Sequence, residues 1–379
     1  MLPIAVPWVG EEEQRGVAEV IASGWLTQGP KVAAFEKAFA AACGTAEAVA
    51  VSNCTTALHL ALIALDVGPG DEVICPSMSF IATANSIRHA GANPVFVEVD
   101  PRTYNLDPEA TRRAITPRTK AIMPVHQVGM PADMDAFLAI GREHGLPILE
   151  DAACAIGSRY KGRPIGGDGV MACFSLHPRK IITTGDGGMI TTNSEPLAAK
   201  LRLLRQHGMS VTDAQRHGSK QVVIESYLMV GYNYRMTDLQ AAVGIAQMAR
   251  LPEIISRRRH LADVYRERLA SVKWIETPFV PEDTEPNFQS YPLRLKAGAP
   301  VSRLELMNHM MTRQISTRRG IMLAHREPPY AGLGLSLPVS EAASDESVLV
   351  PLYPQMTDGD VHRVCDGLES VVSRNALAS

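Results

Sequence analysis

Ala48-Val49-Ala50-Val51 runs directly into Ser52-Asn53-Cys54-Thr55-Thr56-Ala57-Leu58-His59. A short apolar run, a polar turn and then an apolar stretch of helical period read as a buried strand over Ala48–Ser52, followed by a helix over Thr55–Leu65. The same alternation recurs. Strands are expected at Glu72–Cys75, Pro94–Val99, Lys120–Val125, Pro147–Glu150, Met171–Ser175 and Met189–Thr192, with amphipathic stretches at Phe80–His89 and Met134–His144. Apolar strands alternating with helices imply an α/β fold whose mostly parallel sheet is covered on both faces. Ligands of such sheets bind beyond the carboxyl ends of the strands, so the polar residues just after each strand carry the functional question.

Flanking segments are helical. Glu11–Ala22 stops at Gly24, and Lys31–Cys43 follows Pro30 and stops at Gly44, the Pro-first, Gly-last arrangement of a helix. After Thr237 two helices are expected, Thr237–Arg250 and Glu253–Val272. A strand at Ser290–Lys296, a helix at Arg303–Arg313 and a closing helix at Asp360–Arg374 follow. The pattern divides into a large domain, 1–255, and a smaller α+β domain, 256–379.

Composition narrows the function. The 379 residues are 46% hydrophobic and 20% charged, enough apolar surface for a sizeable core. With 37 basic against 40 acidic residues the formal charge is −3, which excludes a globally basic nucleic-acid binder. The longest apolar run, Ala57–Val67, falls short of the roughly 18 residues of a membrane span. Met1–Glu13 lacks a basic signal-peptide start. Six scattered cysteines form no CxxC pair and no zinc-spaced cluster, which points to a reducing, cytoplasmic location.

The common phosphate and hydrolase motifs are absent: GxxxxGK[ST], GxGxxG after a strand, HExxH and GxSxG. Three strand ends stand out instead. Ser52–Thr56 offers first-turn amides and hydroxyls for a phosphate, although an ordinary helix cap has the same composition. Ile148-Leu149-Glu150-Asp151 ends an apolar strand in a carboxylate. Phe174-Ser175-Leu176-His177-Pro178-Arg179-Lys180 leads to Gly185-Asp186-Gly187-Gly188, placing one of only nine lysines between a strand and a Gly-rich turn. Together these meet the needs of pyridoxal phosphate: a lysine for the Schiff base, an acid for the ring nitrogen, donors for the phosphate and a flat ring. Lys180, Asp151, Thr55 with Ser175, and Phe80 fill those roles in that order.

The chain resembles the DegT/StrS family of sugar aminotransferases, a branch of the fold-type-I pyridoxal phosphate enzymes. The resemblance rests on Ser23-Gly24-Trp25-Leu26-Thr27-Gln28-Gly29-Pro30, Pro76-Ser77-Met78-Ser79-Phe80-Ile81-Ala82-Thr83-Ala84-Asn85, Glu150-Asp151-Ala152-Ala153, Ser175-x-His177-Pro178-x-Lys180 and Gly231-Tyr232-Asn233-Tyr234-Arg235-Met236-Thr237-Asp238. It implies a large domain with a mostly parallel seven-stranded sheet and a smaller C-terminal domain. It also implies Lys180 as the Schiff-base lysine, Asp151 at the pyridinium nitrogen and Phe80 against the ring. Cys54, Thr55 and Ser175 would line the phosphate, joined by Asn233 of a neighbouring subunit, and hence a homodimer with shared sites.

Several positions depart from the family pattern. Cys54 stands where Gly is usual, Cys154 where Gln or His approaches the cofactor's phenolic oxygen, Ile156 where His is frequent, and Asp186 where Glu is commoner. His325, Arg319 and Trp25 are the candidates for substrate contact. His126-Gln127 either borders the site or is structural, and Arg257-Arg258-Arg259-His260 reads as a solvated helix face. The activity implied is ping-pong transfer of an amino group from glutamate or glutamine to a keto group of a nucleotide-linked sugar. Amination of a cyclic ketone such as a keto-inositol, and a cofactor-binding regulator without turnover, remain as alternatives.

Overall fold

The structure, a computed structural model, describes residues 1–211 and 221–375. Its first strands are β1 (Glu47–Val51), β2 (Glu72–Pro76), β3 (Asn93–Val97), β4 (Thr119–Ile122) and β5 (Leu149–Asp151). A small hairpin, β6 (Arg159–Tyr160) and β7 (Arg163–Pro164), precedes β8 (Met171–Ser175) and β9 (Gly188–Thr192). One sheet has the order β1-β9-β8-β5 and a second β3-β2-β4. Parallel bridges Ile122–Ile148 and Val125–Asp151 join them edge to edge, with the Asp151 amide donating to the Pro124 carbonyl at 2.9 Å. Within these two sheets only β9 runs against its neighbours. The carboxyl ends of β1, β2, β5 and β8 therefore open along one edge. Every residue of β2, β8 and β9 is buried, which is why their centres, Val73–Cys75, Met171–Phe174 and Met189–Ile190, are apolar without alternation.

The helices Glu11–Ser23 and Pro30–Cys43 pack on a single long helix, Asp238–Leu269. Two helices were expected here, broken before Pro252, and one is found with Pro252 inside it. Proline costs a helix one hydrogen bond and a steric clash. Burial of Leu251, Ile254 and Ile255 in the core beneath the sheet holds the helix across that defect. The start of this helix also organises the one before it. Buried Asp238 accepts the amides of Gly29 (2.8 Å) and Val32 (3.0 Å) on Oδ1 and of Lys31 (3.1 Å) on Oδ2, capping Pro30–Cys43 from far along the chain. An anion is favourable there because first-turn amides lack intrahelical partners.

The C-terminal strands are β10 (Ile275–Glu276), β11 (Thr284–Glu285), which pairs with β6, β12 (Tyr291–Leu295), β13 (Arg318–Arg319) and β14 (Ser347–Val350). An antiparallel sheet orders them β10-β12-β14-β13, backed by the helices Arg303–Thr312 and Asp358–Asn375. Along the long helix, Ile255 still belongs to the core of the first sheet, whereas Leu261, Ala262 and Tyr265 belong to the C-terminal core. Leu2 joins that second core, and Ala324, Tyr330 and Leu337 return to pack beneath the first sheet. The expectation of a solvated face at Arg257–His260 fails at Arg258. This side chain is buried, and its Nη1 donates to the carbonyls of Phe288, Gln289 and Leu352 at 3.0, 3.2 and 3.1 Å. Burial pushes its pKa down to about 10. Among the described residues no helix is long and apolar enough to cross a membrane.

The Asp238 cap gives a stability prediction. Asp238→Ala leaves three amides unmet and should lose ~2–4 kcal/mol in urea unfolding, at 1–3 kcal/mol for each unsatisfied buried group with partial rescue by water. Unchanged stability would mean the cap contributes nothing.

Candidate active site

The edge where the strands end is built turn by turn. After β1, Asn53 caps the helix Cys54–Ala64: its Oδ1 accepts the Thr56 amide at 2.9 Å, and Thr56 Oγ1 donates to the Asn53 carbonyl at 2.7 Å. Thr56, whose hydroxyl the sequence reading offered to a phosphate, is thus committed to the cap. The amides of Cys54 and Thr55 and the Thr55 hydroxyl carry no hydrogen bond among the described residues, the arrangement that attracts an anion to a helix N-terminus. Gly188 begins β9 opposite Ser175, and a Cβ there would stand 2.4 Å from the Asn53 carbonyl oxygen. Only glycine lets β9 approach the turn this closely; Ser175 stands across β9 from it, its Oγ accepting the His177 amide at 3.5 Å.

Asp151 ends β5 in a buried setting. Its Oδ2 accepts the Thr83 hydroxyl at 2.7 Å and its Oδ1 the Ala153 amide at 3.2 Å. Burial raises its pKa; the Thr83 and Ala153 hydrogen bonds and the charges of Lys180 and His126 pull it back only in part. Lys180, five residues beyond β8, donates from Nζ to the Cys154 sulfur at 3.0 Å. Burial disfavours its ammonium, but the Cys154 sulfur and the Asp151 carboxylate outweigh that and hold the pKa above the ordinary lysine value. Burial pushes the Cys54 thiol well up, so this residue presents a neutral side chain to the same space. The pocket therefore juxtaposes an amine, a carboxylate and unpartnered first-turn amides.

The remaining candidates divide. Phe80 follows β2 with 65% of its surface exposed, a bare ring at this same edge. Asn233 is also exposed; its backbone bridges to Gln206 and its Oδ1 accepts Arg235 Nε at 3.1 Å. Trp25 is half-buried and donates from Nε1 to the Gln28 carbonyl at 3.2 Å, folding its own loop. Arg319 is exposed on β13 and lies 3.4 Å from Glu327. His325, by contrast, has both ring nitrogens engaged in a buried position. Ser77 Oγ lies 2.6 Å from Nδ1, and Glu341 Oε1 lies 3.1 Å from Nε2. No ring nitrogen is left for a substrate. His325 instead fastens the turn after β2 to the C-terminal segment. His126 is likewise structural, placed between the Ala132 amide (3.0 Å) and Glu150 (2.9 Å). Sequence reading missed Thr83 and Ser77, both inside a motif it quoted, because their partners lie far away in the chain.

A family model, the DegT/DnrJ/EryC1/StrS aminotransferase family, matches residues 7–369. The chain belongs to this family. It is 42% identical over 374 residues to the GDP-perosamine synthase of Caulobacter vibrioides, covering 98% of each protein. The aminotransferase TlmJ from Streptoalloteichus hindustanus superposes with a TM-score of 0.91 at 34% identity, over 100% of both chains. Spr1654 from Streptococcus pneumoniae, solved in its PLP form, gives 0.90 at 27% identity over 98% of this chain and 99% of that one. The protein is an aminotransferase that uses pyridoxal phosphate. The donor set fits that cofactor: an amine for its aldehyde, a carboxylate for its ring nitrogen, and free amides with hydroxyls for its phosphate.

The latch around His325 includes a carboxylate held low by its donors. Hydrogen bonds from the Leu337 amide and Arg326, with His325, lower the Glu341 carboxyl to about 2 despite burial. A depressed carboxylate stabilises the fold above its unfolded value, about 4.3, and that contribution is lost as pH falls towards the folded value. Glu341→Gln should therefore be less stable than the wild type near neutrality, with the gap narrowing below about pH 4.5. Urea unfolding at a series of pH values measures it; a gap independent of pH would contradict the assignment.

Proposed function

We propose that the protein transfers an amino group to the keto group of a nucleotide-linked sugar, with glutamate or glutamine as donor, and that Lys180 and Asp151 carry the chemistry. The observation that supports this most is the meeting of the Lys180 amine and the Asp151 carboxylate in one pocket beside the free amides of Cys54 and Thr55. Identity to a synthase of a GDP-linked sugar over the full chain supports the substrate class. Bound pyridoxal phosphate supplies an aldehyde for amine exchange and a ring that accepts the electrons of a deprotonated carbon.

The chain's own residues have four tasks. Lys180 Nζ would hold the cofactor between turnovers; displaced by the donor amine and neutral, it would take the proton from the donor's α-carbon and return it to the cofactor carbon on the other side of the shared nitrogen. Asp151 keeps the ring nitrogen protonated. The helix N-terminus at Cys54–Thr55, with the Thr55 and Ser175 hydroxyls, holds the phosphate dianion. Phe80 covers the ring face. After the keto acid leaves, the same groups run the steps in reverse on the ketosugar. Arg319 and Trp25 are assigned to the substrate side of the pocket, and the two-domain division is placed inside the long helix near residue 255.

The working unit in this proposal is a homodimer with Asn233 reaching the partner's phosphate site. In support, Val222, Ile224 and Val230 are 92%, 87% and 88% exposed on the segment leading to Asn233, an apolar strip of the kind a second subunit covers.

Two experiments test the proposal. The pyridoxamine form, offered a panel of nucleotide-linked ketosugars and cyclic ketones, should return to the pyridoxal form with a nucleotide-linked ketosugar; return only with free cyclic ketones would overturn the substrate class. Mixing Lys180→Ala with Asn233→Asp under subunit exchange should restore about a quarter of wild-type activity, because half of the dimers then carry one intact site. Proven exchange without recovery would defeat the shared site.

A further inference from the structure

Asp151 is held by more than the strand that carries it. Its Oδ2 takes the Thr83 hydroxyl at 2.7 Å, and Thr83 Oγ1 lies 2.8 Å from Ser79 Oγ. All three side chains are at most 3% exposed. Thr83 has a single hydroxyl proton, and a carboxylate can only accept. Thr83 must therefore donate to Asp151, which leaves Ser79 as the donor to Thr83. The result is a one-way chain, Ser79 to Thr83 to Asp151, in which each hydroxyl polarises the next.

The backbone ties this chain to the ring side of the pocket. The Thr83 amide donates to the Phe80 carbonyl at 3.1 Å, so the exposed ring of Phe80 and the hydroxyl of Thr83 ride on one turn. That turn is anchored in its turn by Ser77, whose carbonyl accepts the Ala324 amide at 2.8 Å and whose Oγ accepts the His325 amide at 3.0 Å.

We propose that Thr83, supported by Ser79, is a positioning residue for the transamination: by donating to Asp151 it keeps that carboxylate ionised and aimed, and so keeps the proton on the cofactor's ring nitrogen. This rests on the reading of Asp151 given above. A donor to the ionised form lowers a carboxyl's proton affinity. Without it, Asp151 becomes a stronger base and competes more for the shared proton, which weakens the ring as an electron acceptor. Other groups face Asp151 too: the charges of Lys180, from the turn after β8, and His126, from the turn after β4, act on it, and the thiols of Cys54, Cys75 of β2 and Cys173 of β8 feel its charge. Among the described residues, Thr83 is the one side chain that donates a hydrogen bond to its carboxylate.

Two readouts separate this role from mere packing. In the apoenzyme, 13C-labelled aspartate should show the Asp151 carboxyl titrating about one pH unit higher in Thr83→Val, a nearly isosteric change that deletes the donor. In the holoenzyme loaded with ring-15N pyridoxal phosphate, Thr83→Val should move the nitrogen resonance from the pyridinium towards the neutral pyridine position. Thr83→Ser should restore both signals, and Ser79→Ala should give a smaller shift of the same sign. A folded, cofactor-retaining Thr83→Val with both signals unmoved overturns the proposal; if Thr83→Val does not fold, Ser79→Ala decides by the same criterion. The control is Asp151→Asn. Should it leave the nitrogen resonance unmoved while Thr83→Val still raises the Asp151 titration, the hydrogen-bond chain stands and the assignment of Asp151 to the ring nitrogen fails.

Discussion

The structure turns on a buried carboxylate and a buried amine brought together at the ends of two adjacent parallel strands. Asp151 closes β5 and pairs in register with Cys173 of β8, and the chain beyond β8 returns Lys180 to the same pocket. Each charge is unfavourable by itself in that setting. The Thr83 and Ala153 donors offset part of the burial of Asp151, and the Cys154 sulfur with nearby negative charge offsets that of Lys180. Parallel strands make this possible, since their carboxyl ends share an edge and each following turn is free to present a polar side chain.

The same edge accounts for the phosphate-binding end of the pocket and for two departures from the family pattern. Cys54 occupies the first position of a helix and its own φ is not positive, so a side chain is tolerated where glycine is common. The close approach that does require glycine is at Gly188, one strand over. Cys154 places sulfur on the lysine amine, at the position where the family pattern has a longer polar side chain.

Much of this was legible in the sequence because local rules and the fold agree. The apolar runs of β2 and β8, the Asn53 turn and the Pro30 and Gly44 boundaries are each decided within a few residues. The failures share a cause, namely partners remote in the chain. Pro252 suggested a break that burial on both sides overrode. Arg258 looked solvated until three carbonyls from two other segments closed around it. His325 carried a substrate-facing expectation, yet Ser77 and Glu341 consume its ring nitrogens. Thr83 sat in a quoted motif without a role because nothing local marks it as the donor to Asp151.

The central claim is that Lys180 is the residue that holds the cofactor. Borohydride reduction of the purified holoenzyme fixes the linkage as a stable secondary amine, and peptide mass spectrometry then locates it. The account predicts the phosphopyridoxyl mass on the peptide containing Lys180 and on no other. Finding it on any of the other eight lysines of the chain would contradict the account.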